Sequence, residues 1–206
     1  MAATPDLGPT DASPAAGAER GDTRSDVSSP GQLSDVDALR RRARQSIEQG
    51  AVTPGYDADL DTVLRLLNEA LATELVCTLR YKRHYFTAKG SNAASVAAEF
   101  LEHAKEEEEH ADRIAERIVQ LGGEPDFSPH GLAERSHAEY VANGTLEQMI
   151  RENLVAERIA IESYREMVRY LGDRDPTTRR MMEDILASEE EHADDLVDLL
   201  ASGGKS

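Results

Sequence analysis

The chain has 206 residues, with 23 Lys and Arg against 40 Asp and Glu and a formal net charge of −17. That is room for one domain of ordinary size plus a tail, and a surface that repels nucleic acid and anionic membrane while concentrating cations. Cys77 is the single cysteine, which excludes an intrachain disulfide framework and a zinc site built on several thiolates of one subunit.

Residues 1–34 are rich in Ala, Pro, Asp, Gly and Ser and poor in large apolar side chains. They bury too little surface to offset ordering entropy, and a disordered N-terminal tail is expected. The segment also lacks the apolar run of a secretory signal, and no stretch of the chain approaches a membrane span, so a reducing cytoplasm is the expected location. Residues 35–55 read as a short helix and linker: "SDVDALRRRARQSIEQG" offers Ser34 or Asp35 as a cap and Gly50 as a stop. Its Arg40, Arg41, Arg42 and Arg44 form one basic cluster. Six acids, Asp6, Asp11, Glu19, Asp22, Asp26 and Asp35, face only Arg20 and Arg24 in the preceding tail, so the extension opposes DNA binding and a capping role over a neighbouring subunit is expected.

From residue 56 to 201 apolar residues recur at helical spacing and nothing shows the alternation of strands. Breakers divide this region into four long helices, at about 59–89, 93–121, 145–171 and 176–200, with a short tail at 202–206. Thr145 and Gln148 form a capping box at the start of the third, and Pro176 suits the first turn of the fourth. Short connections join the first pair and the second pair, whereas residues 122–144 make a long one in which "GLAERSHAEYV" has the pattern of a short helix. The predicted fold is all-α, an antiparallel four-helix bundle with one long crossover.

Each stripe carries acid where the core should be apolar. The first helix reads Leu67, Leu71, Glu74, Thr78, Tyr81, Tyr85 and the third Ile150, Leu154, Glu157, Ile161, Tyr164, Val168. The second reads Phe100, Ala104, Glu107, His110, Ile114, Ile118, and the fourth Met182, Leu186, Glu189, His192, Leu196, Leu200; both hold Glu-x-x-His. Buried carboxylates cost several kcal/mol each unless they are paired or bind metal, and four together repel strongly. Their charge, with two neutral imidazoles, balances two divalent cations, and mixed oxygen and nitrogen ligation suits Fe or Mn better than Mg or Ca. The inference is a dinuclear iron centre, two Fe per subunit with Mn as the alternative, on Glu74, Glu107, His110, Glu157, Glu189 and His192. The hairpins repeat: 33 residues separate Glu74 from Glu107 and 32 separate Glu157 from Glu189, and a tyrosine, Tyr81 or Tyr164, follows seven residues after each first glutamate. One Glu-x-x-His arises readily by chance in so acidic a chain; two at matched offsets do not.

A Glu from each of two helices and Glu-x-x-His from each of the other two resembles the ferritin-like di-iron carboxylate pattern, and most closely the bacterioferritins, over about residues 60–200. "LNEALATELV", "EEEEHADRIAERI", "ENLVAERIAIESYREMV" and "MMEDILASEEEHADDLVDLL" carry the likeness. The resemblance implies that Glu107 and Glu189 bridge two irons, that Glu74 with His110 and Glu157 with His192 are terminal ligands, and that Tyr81 lies beside the centre, placed to donate an electron. It implies a ferroxidase that stores and detoxifies iron, with Fe(II) and O2 or H2O2 as substrates. A di-metal oxidase or manganese catalase on the same scaffold and a DNA-protecting protein of the Dps type are the alternatives. All six ligands lie in one chain, unlike typical Dps sites, which straddle two subunits. Glu108 stands where bacterioferritins carry the haem-ligating methionine, so haem is not expected. The chain stops after "LLASGGKS", without sequence for the fifth helix of 24-subunit ferritins, so a homo-oligomeric shell of 12 is favoured over 24.

The remaining residues of interest have plainer readings. Glu106, Glu108, Glu109, Glu190 and Glu191 fall off the stripe and are expected to solvate the helices. His103 reads as a structural or surface histidine, or else as part of an iron entry path; Cys77 reads as a small core residue and His84, His130 and His137 as incidental.

Overall fold

A computed structural model describes residues 33–90, 93–142 and 144–203. The tail expected over residues 1–34 lies outside the described residues apart from its last two positions, as do the last three residues of the chain. Among the described residues there is no strand: α1 spans Val36–Arg42, α2 Leu60–Thr87, α3 Ala93–Gln120, α4 Leu132–Arg135, α5 Leu146–Leu171 and α6 Pro176–Gly203. Helices α2 and α3 pack as one hairpin, α5 and α6 as another, and the two hairpins meet through α2 against α5 and α3 against α6. This is the four-helix bundle with one crossover that the periodicity predicts. No helix among the described residues is long and apolar enough to cross a membrane.

Local chemistry sets the ends. The Thr145 hydroxyl accepts from Gln148 N at 3.3 Å while Thr145 N donates to Gln148 Oε1 at 2.8 Å, which completes the capping box. Helix α3 closes in a Schellman turn, with Gly123 N donating to Ile118 O and Gly122 N to Val119 O. Gly122 sits at φ +82°, which a side chain would strain. Helix α6 runs three residues past the expected Leu200, to Gly203.

Helix α1 is shorter than its sequence suggests. Asp35 caps it by accepting from Asp37 N and Ala38 N, but the helix stops at Arg42, Arg44 Nη1 turns back onto Arg40 O, and Ser46 adopts the left-handed conformation at φ +48°. A separate 3-10 turn at Ile47–Gln49 then ends on Gly50. Ala38 is the one residue of α1 that is buried, so tertiary packing does not hold further turns, and helices this short are marginal without it.

The core is divided. One apolar cluster contains Leu67, Leu71, Ile114, Ile118, Met167 and Met182; the other contains Phe100, Val96, Ile150 and Leu196. Along each long helix the acidic positions fall between these clusters. At one end of the bundle Arg117, from α3, donates to Thr178 Oγ1 at 2.8 Å and Asp175 Oδ1 at 3.0 Å, and Tyr56 donates to Asp175 Oδ2 at 2.9 Å. This buried network ties both hairpins and the α1–α2 linker together.

Candidate metal centre

Helical geometry brings all six expected residues together inside the bundle. Glu74, Glu107, Glu157 and Glu189 are buried to 1% exposure or less, and His110 and His192 to a few per cent. Their donor atoms form two groups: Glu74, Glu107, His110 and Glu189 in one, and Glu107, Glu157, Glu189 and His192 in the other. Glu107 and Glu189 belong to both. His110 Nδ1 approaches Glu189 Oε1 at 3.0 Å and Glu74 Oε2 at 3.6 Å; His192 Nδ1 approaches Glu189 Oε2 at 3.3 Å and Glu107 Oε1 at 3.7 Å.

The donor set fits metal. Among the described residues, Glu74 Oε2, Glu107 Oε1, His110 Nδ1, Glu157 Oε2, both Glu189 oxygens and His192 Nδ1 are buried without a hydrogen-bond partner. So many orphaned lone pairs at one point are rare in folded proteins and carry a full desolvation penalty unless cations or protons meet them.

Two tyrosines support the carboxylates in a crossed pattern. Tyr81 of α2 donates to Glu157 of α5, and Tyr164 of α5 donates to Glu74 of α2. The internal repeat thus reappears as an exchange between hairpins. Burial pushes both phenols up, with Glu157 adding to it at Tyr81 and Glu74 at Tyr164, so each remains a donor.

The electrostatics of the metal-free site follow from desolvation. Burial, then the charge of Glu107, pushes Glu74 up to about 8, and burial with Glu107 and Glu189 holds Glu157 well above the carboxylate range. Burial and the charge of Glu189 also oppose ionisation of Glu107, but the close approach of Glu74, His110 and His192 outweighs them and leaves Glu107 below its ordinary value. Burial disfavours the imidazolium at His110 and His192, yet the surrounding Glu107 and Glu189 oxygens carry both up to about 12.

Three features lie beyond the stripe pattern. Glu106 is half-exposed, as a residue off the stripe should be, but its carboxylate accepts from His192 Nε2 at 2.6 Å and so turns Nδ1 inward. Glu108 and Glu190 do stay outside, pairing with Lys82 at 2.9 Å and Arg165 at 2.6 Å. His84 is not incidental: it is 1% exposed and contacts Asn153 Oδ1 and Val141 O, each at 3.1 Å. Beside it Arg80, also buried, donates to Asn153 Oδ1, Glu139 O and Cys77 Sγ. His137 N donates to Thr73 Oγ1, and Ala138 packs on Cys77 and Ala156. Thr73, Cys77, Arg80 and His84 therefore form a second stripe on α2, which holds the crossover against the bundle. Burial pushes the Cys77 thiol up, as befits a packing residue.

A four-helix bundle with carboxylates and imidazoles gathered in its interior defines a class of helical proteins that could hold metal. Residues 64–203 match the ferritin-like domain family, and the chain belongs to it. The chain is 33% identical over 140 residues to a nutrient stress-induced DNA-binding protein of Synechococcus sp., covering 66% of this chain and 78% of that one. It is 30% identical over 133 residues to a bacterioferritin of Mycobacterium tuberculosis, covering 64% and 79%. Among solved structures, the dodecameric thioferritin from Bacteroides fragilis, described as a bacterioferritin-related protein, superposes with a TM-score of 0.70 at 33% identity, covering 72% of this chain and 90% of that one. The chain is thus a member of the iron-storage group that includes bacterioferritin and Dps.

Proposed function

We propose that the protein is a ferroxidase that stores and detoxifies iron, binding two Fe(II) per chain as substrate at Glu74, Glu107, His110, Glu157, Glu189 and His192. The observation that carries this reading is that Glu107 and Glu189 each belong to both donor groups, so one carboxylate can reach two ions and hold them close. Each Fe(II) gives one electron. With H2O2 the pair supplies the two electrons that break the O–O bond, two protons are taken up, and two waters leave. Delivering both electrons together avoids releasing hydroxyl radical. Glu106 holds His192, and the crossed tyrosines hold Glu157 and Glu74, so the donors remain positioned as charge at the irons changes. The deciding experiment is stopped-flow absorbance of metal-free protein mixed with Fe(II) and oxidant. Glu107→Ala with Glu189→Ala should abolish the fast phase; oxidation at the wild-type rate would overturn the proposal.

The dodecameric relative from Bacteroides fragilis supports an assembly of twelve chains, which light scattering or negative-stain microscopy checks. A second reading comes from the DNA-binding name of the Synechococcus relative. The charge of −17 opposes it, and in the one basic cluster Arg40 pairs with Asp37 while Arg42 donates to Ser34. A gel shift at low salt should show no complex.

A further inference from the structure

We propose that Glu99, His103 and Asp195 form a separate divalent-cation site, suited to Zn2+, Co2+ or Fe2+, at the solvent side of the six-residue cluster. Their donor atoms lie within 4.8 Å of one another, and none of the three belongs to the cluster. His103 is 1% exposed. Its Nδ1 lies 3.2 Å from the Tyr81 hydroxyl oxygen, and the hydrogen of that hydroxyl is already given to Glu157. The contact is therefore donated by His103, which places the ring hydrogen of the neutral imidazole on Nδ1 and leaves a lone pair on Nε2.

That lone pair points at acid. Nε2 stands 3.4 Å from Glu99 Oε1 and 3.6 Å from Asp195 Oδ2, and it is buried without a hydrogen-bond partner. Three electron-rich atoms converging without a donor repel one another unless a cation lies among them. One imidazole and two carboxylates are the ligands of zinc-like and iron-like ions rather than of Mg2+ or Ca2+. A cavity of about 170 Å³, lined also by Glu102, Ser188 and Glu191, leaves room for water to complete the shell. The Nδ1–H to Tyr81 contact is the outer partner that metal-bound histidines have.

The site is connected to the centre in two ways. The His103 ring stacks on the His192 ring at 4.1 Å, and the chain His103, Tyr81, Glu157 runs directly into the donor groups. Glu99 and Asp195 side chains are 33% and 46% exposed, against 2% for His103. A cation held here has lost part of its water but not all of it, so under the ferroxidase reading this is where incoming iron pauses before entering the centre. The binding claim itself does not need that reading.

The test is equilibrium dialysis of the full chain against Zn2+ with metal counted by mass spectrometry. Glu99→Gln with Asp195→Asn should bind one ion fewer per chain than wild type, and His103→Asn should do the same. Glu107→Gln with Glu189→Gln should keep that ion. In crystals of wild type grown with Zn2+, anomalous scattering should place an ion about 2.1 Å from His103 Nε2. Unchanged stoichiometry in the Glu99 and Asp195 variant, or no anomalous peak at His103, overturns the site. Neither outcome touches the iron-oxidation test of Glu107 and Glu189, so the two proposals fail separately.

Discussion

Loading the centre with divalent metal should expel about three protons per chain at pH 7, a figure that follows from His110, His192 and Glu74, which the metal-free site keeps protonated. His110 and His192, at about 12, hold theirs almost fully. Glu74, at about 8, is roughly nine-tenths protonated, and Glu157, which burial also pushes up, acts in the same direction. The departing protons offset most of the charge that two divalent cations bring. The linkage is steep: with one pKa unit worth about 1.4 kcal/mol, binding of the pair should strengthen by about 4 kcal/mol for each pH unit near neutrality. Above pH 8 Glu74 has already ionised, and the release should fall toward about two. A cation at the outer site changes the count little, because burial, reinforced by the charge of His192, pushes His103 down to about 4 and keeps it neutral. Stability of the metal-free protein should move the other way. Glu74 holds its proton up to about 8 in the fold but releases it near 4.5 when unfolded, and the two histidines add the same sign above 6.5. Between about pH 4.5 and 8 the native state then binds more protons than the unfolded one, so stability falls as pH rises through that window, while below it the depressed Glu107 acts with the opposite sign. Calorimetric titration with Zn2+ in buffers of different ionisation enthalpy measures the release. Fewer than two protons at pH 7, or no weakening of binding toward pH 6, would refute the account of how burial charges this site.

Glu106→Gln should weaken metal binding by about 10- to 100-fold while leaving thermal stability of the metal-free protein nearly unchanged, because it removes only the carboxylate that orients His192; equal affinity for Zn2+ would show that His192 needs no such support. Arg117→Met strands the buried Asp175 carboxylate and should cost about 3–5 kcal/mol in denaturant unfolding, whereas the exposed pair Lys82–Glu108 should cost less than about 1 kcal/mol when broken. Arg80→Leu removes the donor that Glu139 O and Asn153 share, so hydrogen exchange over residues 136–142 should quicken while α3 and α6 keep their protection.

The bundle and its six interior donors were legible because they rest on periodicity. Leu71, Glu74 and Tyr81 fall on one face by spacing alone, and nothing but helical geometry is needed to bring Glu107 and Glu189 to the same depth. What periodicity cannot supply is the partner of a residue that falls just off the face. Glu106 sits one position before Glu107 and by spacing belongs to solvent, yet His192 on α6 reaches it, and that contact depends on how closely α3 and α6 approach. The same holds for the crossover. Thr73, Cys77, Arg80 and His84 have the 4, 3, 4 spacing of a helical stripe, but three of the four are polar, so the pattern does not register as a core. Its meaning depends on residues 136–142 lying over it, and a coil segment has no period of its own to announce where it docks. A polar stripe opposite the apolar one, in a helix that precedes a long irregular connection, was the available signal: such a helix must satisfy the backbone carbonyls laid upon it, and Arg80 and His84 do so at Glu139 and Val141.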